Sequence, residues 1–224
     1  MAGYLILGAG KFGCLALTRL ARRDREAAFV VVDRDPGALA AAQEANPGVR
    51  VEWVAAAAGD FLRRHLKGET PWDWLIPMVP GHAAFAWLRA GPLKNGAWET
   101  VPVPEAVGAL TPVAWRGPEG ELYLSRTVEL CPDDCEEPET VCPVSGESRE
   151  TPLYAELAGL VLPGFKVLVL PSRQLAPGVG GFPPGLLLAL ARELKEFSGK
   201  AVVATACRCH GVAHAVSRKS GGKG

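Results

Sequence analysis

The sequence carries no net charge, because 24 Lys and Arg offset 24 Asp and Glu. Nothing in that balance draws the chain to nucleic acid or to an anionic membrane, so neither is expected as a partner. It also has no apolar run approaching the roughly 20 residues of a membrane-spanning helix. The first residues read as a strand and not as a signal peptide, so the expected location is cytoplasmic, with no membrane insertion. There is no internal repeat and no low-complexity tract except the tail SRKSGGKG, which reads as a disordered terminus. No two cysteines have the C-x2-C spacing of a zinc ribbon, and structural disulfides are not expected in the cytoplasm. What is present is a chain of 224 residues, 48% hydrophobic and 21% charged, enough to bury one substantial core. Its six cysteines need a use other than bridging.

The stretch GAGKFGCLALTRL lies between the apolar run YLIL and a segment with apolar residues at helical spacing. Gly8, Gly10 and Gly13 match G-x-G-x-x-G at a strand-to-helix junction. In that motif the first glycine permits the turn, the second lets the backbone approach a pyrophosphate, and the third lets the helix lie close to the strand. The helix N-terminus would supply free N–H groups for the anion. A second β-rich run, AFVVVD, ends at Asp33, about twenty residues beyond Gly13. A carboxylate there accepts hydrogen bonds from ribose hydroxyls and favours NAD over NADP, a preference that the neighbouring Arg34 weakens. A P-loop does not fit, since Lys11 is followed by Phe12 and not by Ser or Thr.

LILGAGKFGCLALTRL followed by FVVVDRDP resembles the opening of the TrkA-type nucleotide-binding domains that gate potassium uptake, over roughly the first 45 residues. The resemblance implies an NAD(H) site lined by Gly8, Gly10, Lys11, Phe12, Gly13 and Asp33. The family commonly has G-D-[AG]-T after the third strand, whereas here Gly59-Asp60 is followed by Phe61-Leu62. That departure bears on the potassium role and leaves nucleotide binding intact.

The first half alternates strand and helix: YLIL, a helix from Gly13 to Arg23, AFVVVD, a helix from Pro36 to Ala45, VRVEWV, a helix around Asp60 to Lys67, DWLIPMVP and the helix AAFAWLRA. The expected fold class is α/β, a doubly wound parallel sheet of Rossmann type with a cysteine-containing insertion or small second lobe. The expected organisation is a dinucleotide-binding half over 1–92, an irregular β insertion over 93–163, a βαβ unit over 164–215 that returns FKVLVLP and KAVVATA to the same sheet as its fifth and sixth strands, and a disordered tail over 216–224.

Five cysteines fall in two clusters, Cys131, Cys135 and Cys142 in CPDDCEEPETVC, and Cys207 and Cys209 beside His210 in CRCH. Three thiolates on a turn-forming loop can converge on one metal ion or iron-sulfur cluster, with a further ligand from Cys207, Cys209 or His210. The spacing C-x3-C-x6-C suits neither metal alone, so zinc and iron-sulfur both stand, as do reduced structural thiols and a redox disulfide. Asp133, Asp134, Glu136, Glu137 and Glu139 read as a solvated acidic loop, Cys14 as a small packing residue, and His82 as a structural histidine. The glycines of SRQLAPGVGGFPPG, with Arg173, read either as an anion-holding loop or as a plain connection.

These features suit a cytoplasmic NAD(H)-binding regulatory or redox-sensing protein with a cysteine-ligated metal or cluster. Two alternatives are an NAD-dependent oxidoreductase passing electrons through the cysteines, and a structural zinc site on a TrkA-like potassium-uptake regulator. No proton donor or Lys-Tyr pair for an oxidoreductase stands out in the sequence. A protein partner or homo-oligomer is left open.

Overall fold

The computed structural model describes residues 1–94 and 96–219. Four short strands, Gly3–Leu7 (β1), Ala28–Asp33 (β2), Val51–Ala55 (β3) and Trp74–Pro77 (β4), pair in parallel in the order β3-β2-β1-β4. The connections run outward in opposite directions from the β1–β4 boundary, which opens a crevice at the C-terminal ends of the strands. Helices Lys11–Arg23 (α1) and Pro36–Ala45 (α2) cover one face through Leu17, Leu20 and Leu39 on Ile6, Val31 and Ile76. Helices Ala58–His65 (α3) and Ala83–Ala90 (α4) cover the other through Leu62, Phe85 and Leu88 on Leu5, Leu7 and Leu75. Asp35 caps α2 by accepting from the Gly37 N–H at 2.8 Å, and Pro36 occupies the first turn, where it costs no hydrogen bond. These elements follow the sequence expectation closely.

The second half departs from it. Trp98–Val101 (β5), Val113–Arg116 (β6), Leu122–Ser125 (β7), Phe165–Pro171 (β8), Lys200–Ala206 (β11) and His210–Arg218 (β12) form a separate six-stranded sheet. β8 and β11 are parallel and joined through helix Pro184–Glu196 (α7), so the βαβ unit exists, but these strands are not the fifth and sixth of the first sheet. The reason is edge occupancy. One edge of β11 pairs with β8 along its whole length, and the other pairs antiparallel with β12 from Lys200↔Ser217 to Ala206↔Gly211. The free edge of β4 is met by the chain just after the hairpin of Arg173–Ala176 (β9) and Val179–Gly181 (β10), where Leu75 and Phe182 exchange backbone hydrogen bonds of 2.9 and 3.0 Å.

Residues 93–163 are accordingly no insertion, because β5 and β7 pair with β12 and belong to its sheet. The disordered tail expected from 216 is also corrected: β12 runs to Arg218 and Val216 is buried, while 220–224 lie outside the described residues. Helices Glu105–Gly108 (α5) and Leu153–Gly159 (α6) cover one face of the second sheet through Val107, Leu153 and Leu157. On its other face Leu187, Leu190 and Leu194 of α7 join Leu168, Leu170 and Val203 to Leu5, Leu7 and Leu75 in one core. The two sheets thus share their largest buried cluster. No helix among the described residues is long and apolar enough to cross a membrane.

Candidate functional site

The glycine turn has the geometry its spacing predicts. Gly8 has φ +102°, and a Cβ on it would stand 2.7 Å from the Met78 carbonyl oxygen. A Cβ on Gly13 would fall 1.9 Å from the Gly8 oxygen, so helix and turn touch only because this position is bare. Gly10 faces open space, with no atom within 4 Å of an added Cβ. It is also the N-cap of α1, where no side chain caps the helix and no acid stands in the first turn. At the end of β2, Asp33 accepts from the Ala9 N–H at 2.7 Å and from the Asp35 N–H at 2.9 Å. Each carboxylate oxygen has two acceptor sites, so one on each remains for a ligand hydroxyl.

The cysteines come together against that same turn. Cys131, Cys135, Cys142, Cys207, Cys209 and His210 line one cavity of about 480 Å³, and Lys11 and Phe12 of the glycine turn line it too. Cys131 Sγ is 3.8 Å from His210 Nε2, and the His210 N–H points at Cys207 Sγ at 3.3 Å. Among the described residues no three His, Cys, Asp or Glu side chains are arranged to hold a metal ion. The structure therefore gathers the six expected ligands around a space without closing them into a shell for a single ion.

Local sequence explains how the loop reaches the turn. Lys11 pairs with Asp133 at 2.6 Å, and Arg19 of α1 donates to the backbone oxygens of Asp133 and Pro177 at 2.8 and 2.6 Å. The Cys135 carbonyl accepts from the Gly178 N–H and from Gln174 Nε2, at 2.9 and 2.8 Å. From the other side Arg208, the middle of CRCH, enters the loop: its N–H donates to Glu137 Oε1 at 2.9 Å, and its guanidinium to the carbonyls of Arg149 and Glu139 at 2.6 and 3.2 Å. The spacing of the cysteines carries no signal for these clamps.

Charge around the cavity is balanced unevenly. Burial, reinforced by repulsion from neighbouring thiols, raises the pKa of Cys131 and Cys135, and drives Cys209 up to about 11. Burial likewise raises Cys207, against hydrogen bonds from nearby N–H groups. Cys142 is the exception. Burial opposes its ionisation, but hydrogen bonds from Ser145 and Val144 and the Arg149 charge outweigh it and lower its pKa. Burial, and then Arg149, lowers His210, which leaves its imidazole neutral and able to ligate. Arg149 is itself buried, and its Nε and that of Arg208 have no hydrogen-bond partner among the described residues. Arg149 thus stands beside the thiols, lining the cavity and acting on Cys142, Cys209 and His210, whereas the Arg208 guanidinium is engaged by loop carbonyls and Glu137.

Other expectations resolve here. The glycine-rich loop is the β9–β10 hairpin, and the Gly178 N–H is engaged by Cys135, so it is not free to hold an anion. Arg173 lies over the Tyr154 ring instead. Of the acidic residues, Asp133 and Glu137 are structural clamps and not only solvated charge. Cys14 packs at the edge of the α1–α2 core beside Asn46, in line with a packing role. His82 is buried and pairs with His214 of β12. The sequence reading passed over His214; its signal was one polar residue among the alternating small and apolar residues of HGVAHAV.

Residues 79–219, more than half of the chain, match a family described as "Uncharacterized protein, C-terminal domain". That segment holds both cysteine clusters and starts just after β4, at the boundary between the two halves. An "Uncharacterized protein" of Archaeoglobus fulgidus is 32% identical over 226 residues, spanning 96% of this chain and 99% of that protein. No solved structure matches the chain. On both likenesses the chain belongs to the family described as "Uncharacterized protein, C-terminal domain", and the archaeal relative shares the glycine-turn half as well as the family segment.

Proposed function

We propose that this is a cytoplasmic redox-sensing or regulatory protein, in which a thiolate-ligated iron-sulfur cluster lies beside a glycine turn that takes the pyrophosphate of NAD(H). The observation that carries the reading is the shared cavity: five cysteines and His210 open onto the same space as Lys11 and Phe12. Thiolates around one zinc ion must all lie about 2.3 Å from it, whereas a cluster spreads its ligands over several metal atoms. The space of about 480 Å³ that the five cysteines and His210 line has room for the second. Arg149, which lines the cavity, offsets the negative charge that ligating thiolates bring to either kind of site. Cys131, Cys135 and Cys142 are ligands in this reading, with the fourth from Cys207, Cys209 or His210.

The dinucleotide half of the proposal is supported by the TrkA-type resemblance, the open approach to Gly10, the uncapped α1 N-terminus and the spare acceptor sites of Asp33. Asp133 on Lys11 connects the two sites. A ligand phosphate at the helix N-terminus competes with that carboxylate for Lys11, so nucleotide and cluster would sense one another, by equal factors in both directions.

Anaerobically purified protein tests the reading through its absorbance between about 300 and 450 nm, its iron, sulfide and zinc content, and an NADH titration. A coloured protein with equimolar iron and sulfide, which loses both in Cys135→Ser and neither in Cys14→Ser, is the expected result. Colourless protein with stoichiometric zinc would replace the cluster by a structural or regulatory ion, and absence of NAD(H) binding would remove the dinucleotide half.

A further inference from the structure

The cysteine cavity reaches the surface at an apolar mouth. Phe12 and Leu130 both line it, yet they are 52% and 96% exposed. Val128 and Val141, each next in the chain to a lining residue, are 74% and 56% exposed. Four of the eight large hydrophobic side chains exposed among the described residues therefore lie on or beside one opening. A single exposed apolar side chain is ordinary, but several at one opening mark a surface that meets a partner.

The same segment is one-sided in charge. From Thr127 to Ser148 it holds seven acids and no Lys or Arg. Three of the acids are paired, Asp133 with Lys11, Glu137 with Arg208 and Glu147 with Arg149. Glu129, Asp134, Glu136 and Glu139 are exposed and have no ion pair among the described residues. Of the nearby cations outside those pairs, Arg19 holds the backbone oxygens of Asp133 and Pro177 and Arg173 lies over Tyr154, so acids stay in excess around the mouth. An apolar centre inside a charged rim is the anatomy of a protein interface, and the sign of the rim selects a cationic partner. Symmetric pairing of two copies through this mouth would set the same acids face to face.

We propose that this mouth docks a small protein with a basic rim around an apolar centre, and that the partner is a one-electron carrier. The carrier assignment rests on the cluster proposed above. NAD(H) moves electrons as hydride, in pairs, whereas an iron-sulfur cluster exchanges them singly, so a cluster beside the glycine turn still needs a one-electron partner. In that exchange one electron passes between cluster and carrier, one is oxidised as the other is reduced, and no bond forms or breaks. Tunnelling falls steeply with distance, and Phe12 and Leu130 mark where a partner comes nearest to the cysteines. The acidic rim steers the encounter until salt screens it, while Leu130 at the centre makes the close contact.

Cytochrome c, a small basic haem protein, is the probe, with an acidic plant-type ferredoxin as the control of opposite charge. Calorimetric titration of the full chain is expected to show saturable binding of cytochrome c and none of ferredoxin, weakening roughly tenfold or more between about 20 and about 300 mM salt. Glu136→Lys and Leu130→Ser should each weaken binding several-fold. Glu69→Lys, just ahead of β4 at the opposite end of the first sheet, should leave it unchanged. Under anaerobic conditions, dithionite-reduced protein should pass electrons to ferric cytochrome c at a rate that falls in the same two variants. No binding, equal binding of ferredoxin, or binding that ignores Glu136→Lys and Leu130→Ser or falls equally in Glu69→Lys would overturn the docking surface, even in a coloured protein. Colourless protein that still binds cytochrome c at this mouth would overturn the carrier assignment together with the cluster, so the two failures are told apart.

Discussion

Three glycines in one motif serve different physical ends, and substitution separates them. Gly13 has no room at all: a methyl group would stand 1.9 Å from the backbone oxygen of Gly8, which cannot move without breaking its turn. Gly13→Ala should therefore cost about 2–3 kcal/mol of stability, at the upper end of overpacking. Gly10 has nothing within 4 Å, so Gly10→Val should leave the denaturation midpoint within about 0.5 kcal/mol of native while removing NADH binding, because the side chain fills the approach to the helix N-terminus. Urea denaturation and an NADH titration on both variants decide it. If Gly10→Val binds NADH as the native protein does, the turn is a packing device. The sequence made Gly8, Gly10, Gly13 and Asp33 legible because such a motif is local, its geometry set by residues within one βαβ unit. The clamps on the cysteine loop were not, because Lys11–Asp133 and Arg19–Asp133 join residues more than a hundred positions apart.

At the scale of elements, the same division holds. Every helix and strand of the first half was readable from periodicity, because its strands and helices alternate and each buries one face within the same half. β12 was not read as a strand at all. Gly211, Ala213 and Ala215 give it little apolar weight, yet it lies in the middle of the second sheet, pairing with β11 on one side and with β5 and β7 on the other. Small residues suit it because α6 packs close over this part of the sheet, where Leu153 lies 3.5 Å from where a Cβ on Gly211 would stand. Without β12, β5 has no partner and the β6–β7 pair has no sheet to join, and so the segment reads as an insertion. The β9–β10 hairpin offers a test at this scale. Gly178 has φ +65°, and a Cβ there would fall 1.9 Å from the Asp133 oxygen, so the cysteine loop can dock only on a bare position. Gly178→Ala should push the loop outward, cut the content of the proposed cluster at least several-fold and speed alkylation of Cys135, while costing the fold only about 1–2 kcal/mol. Unchanged metal content would mean that the loop reaches its ligands without the hairpin.

For the molecule as a whole, the question is what holds the two sheets in register, and the histidine pair gives a measurable answer. His82 follows β4 of the first sheet, while His214 and Thr205 are on strands of the second, so the chain of hydrogen bonds crosses the boundary between the halves. Burial, and then the neighbouring imidazole, lowers the His82 pKa to about 3; burial is also the leading cause that takes His214 to about 4, with Arg89 adding to it against Glu121. Both rings are neutral in the folded protein down to those values, whereas in the unfolded chain they take up protons below about pH 6.5. Above that pH neither state binds the protons and the pair contributes no slope. Below it the unfolded state binds more, so stability falls with pH, by up to about 1.4 kcal/mol per unit for each histidine, until the folded pKa values are reached. Between pH 6.5 and 5 few carboxylates titrate, which makes that window diagnostic. Native protein should lose stability steadily across it in urea titrations. His82→Gln should be less stable at pH 7, because it breaks the bond to His214, but its loss from pH 6.5 to 5 should be shallower by one histidine's share, up to about 1.4 kcal/mol per unit. His210, whose pKa is lowered too, contributes equally to both proteins and cancels in the comparison. Equal slopes in the two proteins would show that the pair protonates freely in the folded state, and that the boundary between the sheets is open to water where the structure closes it.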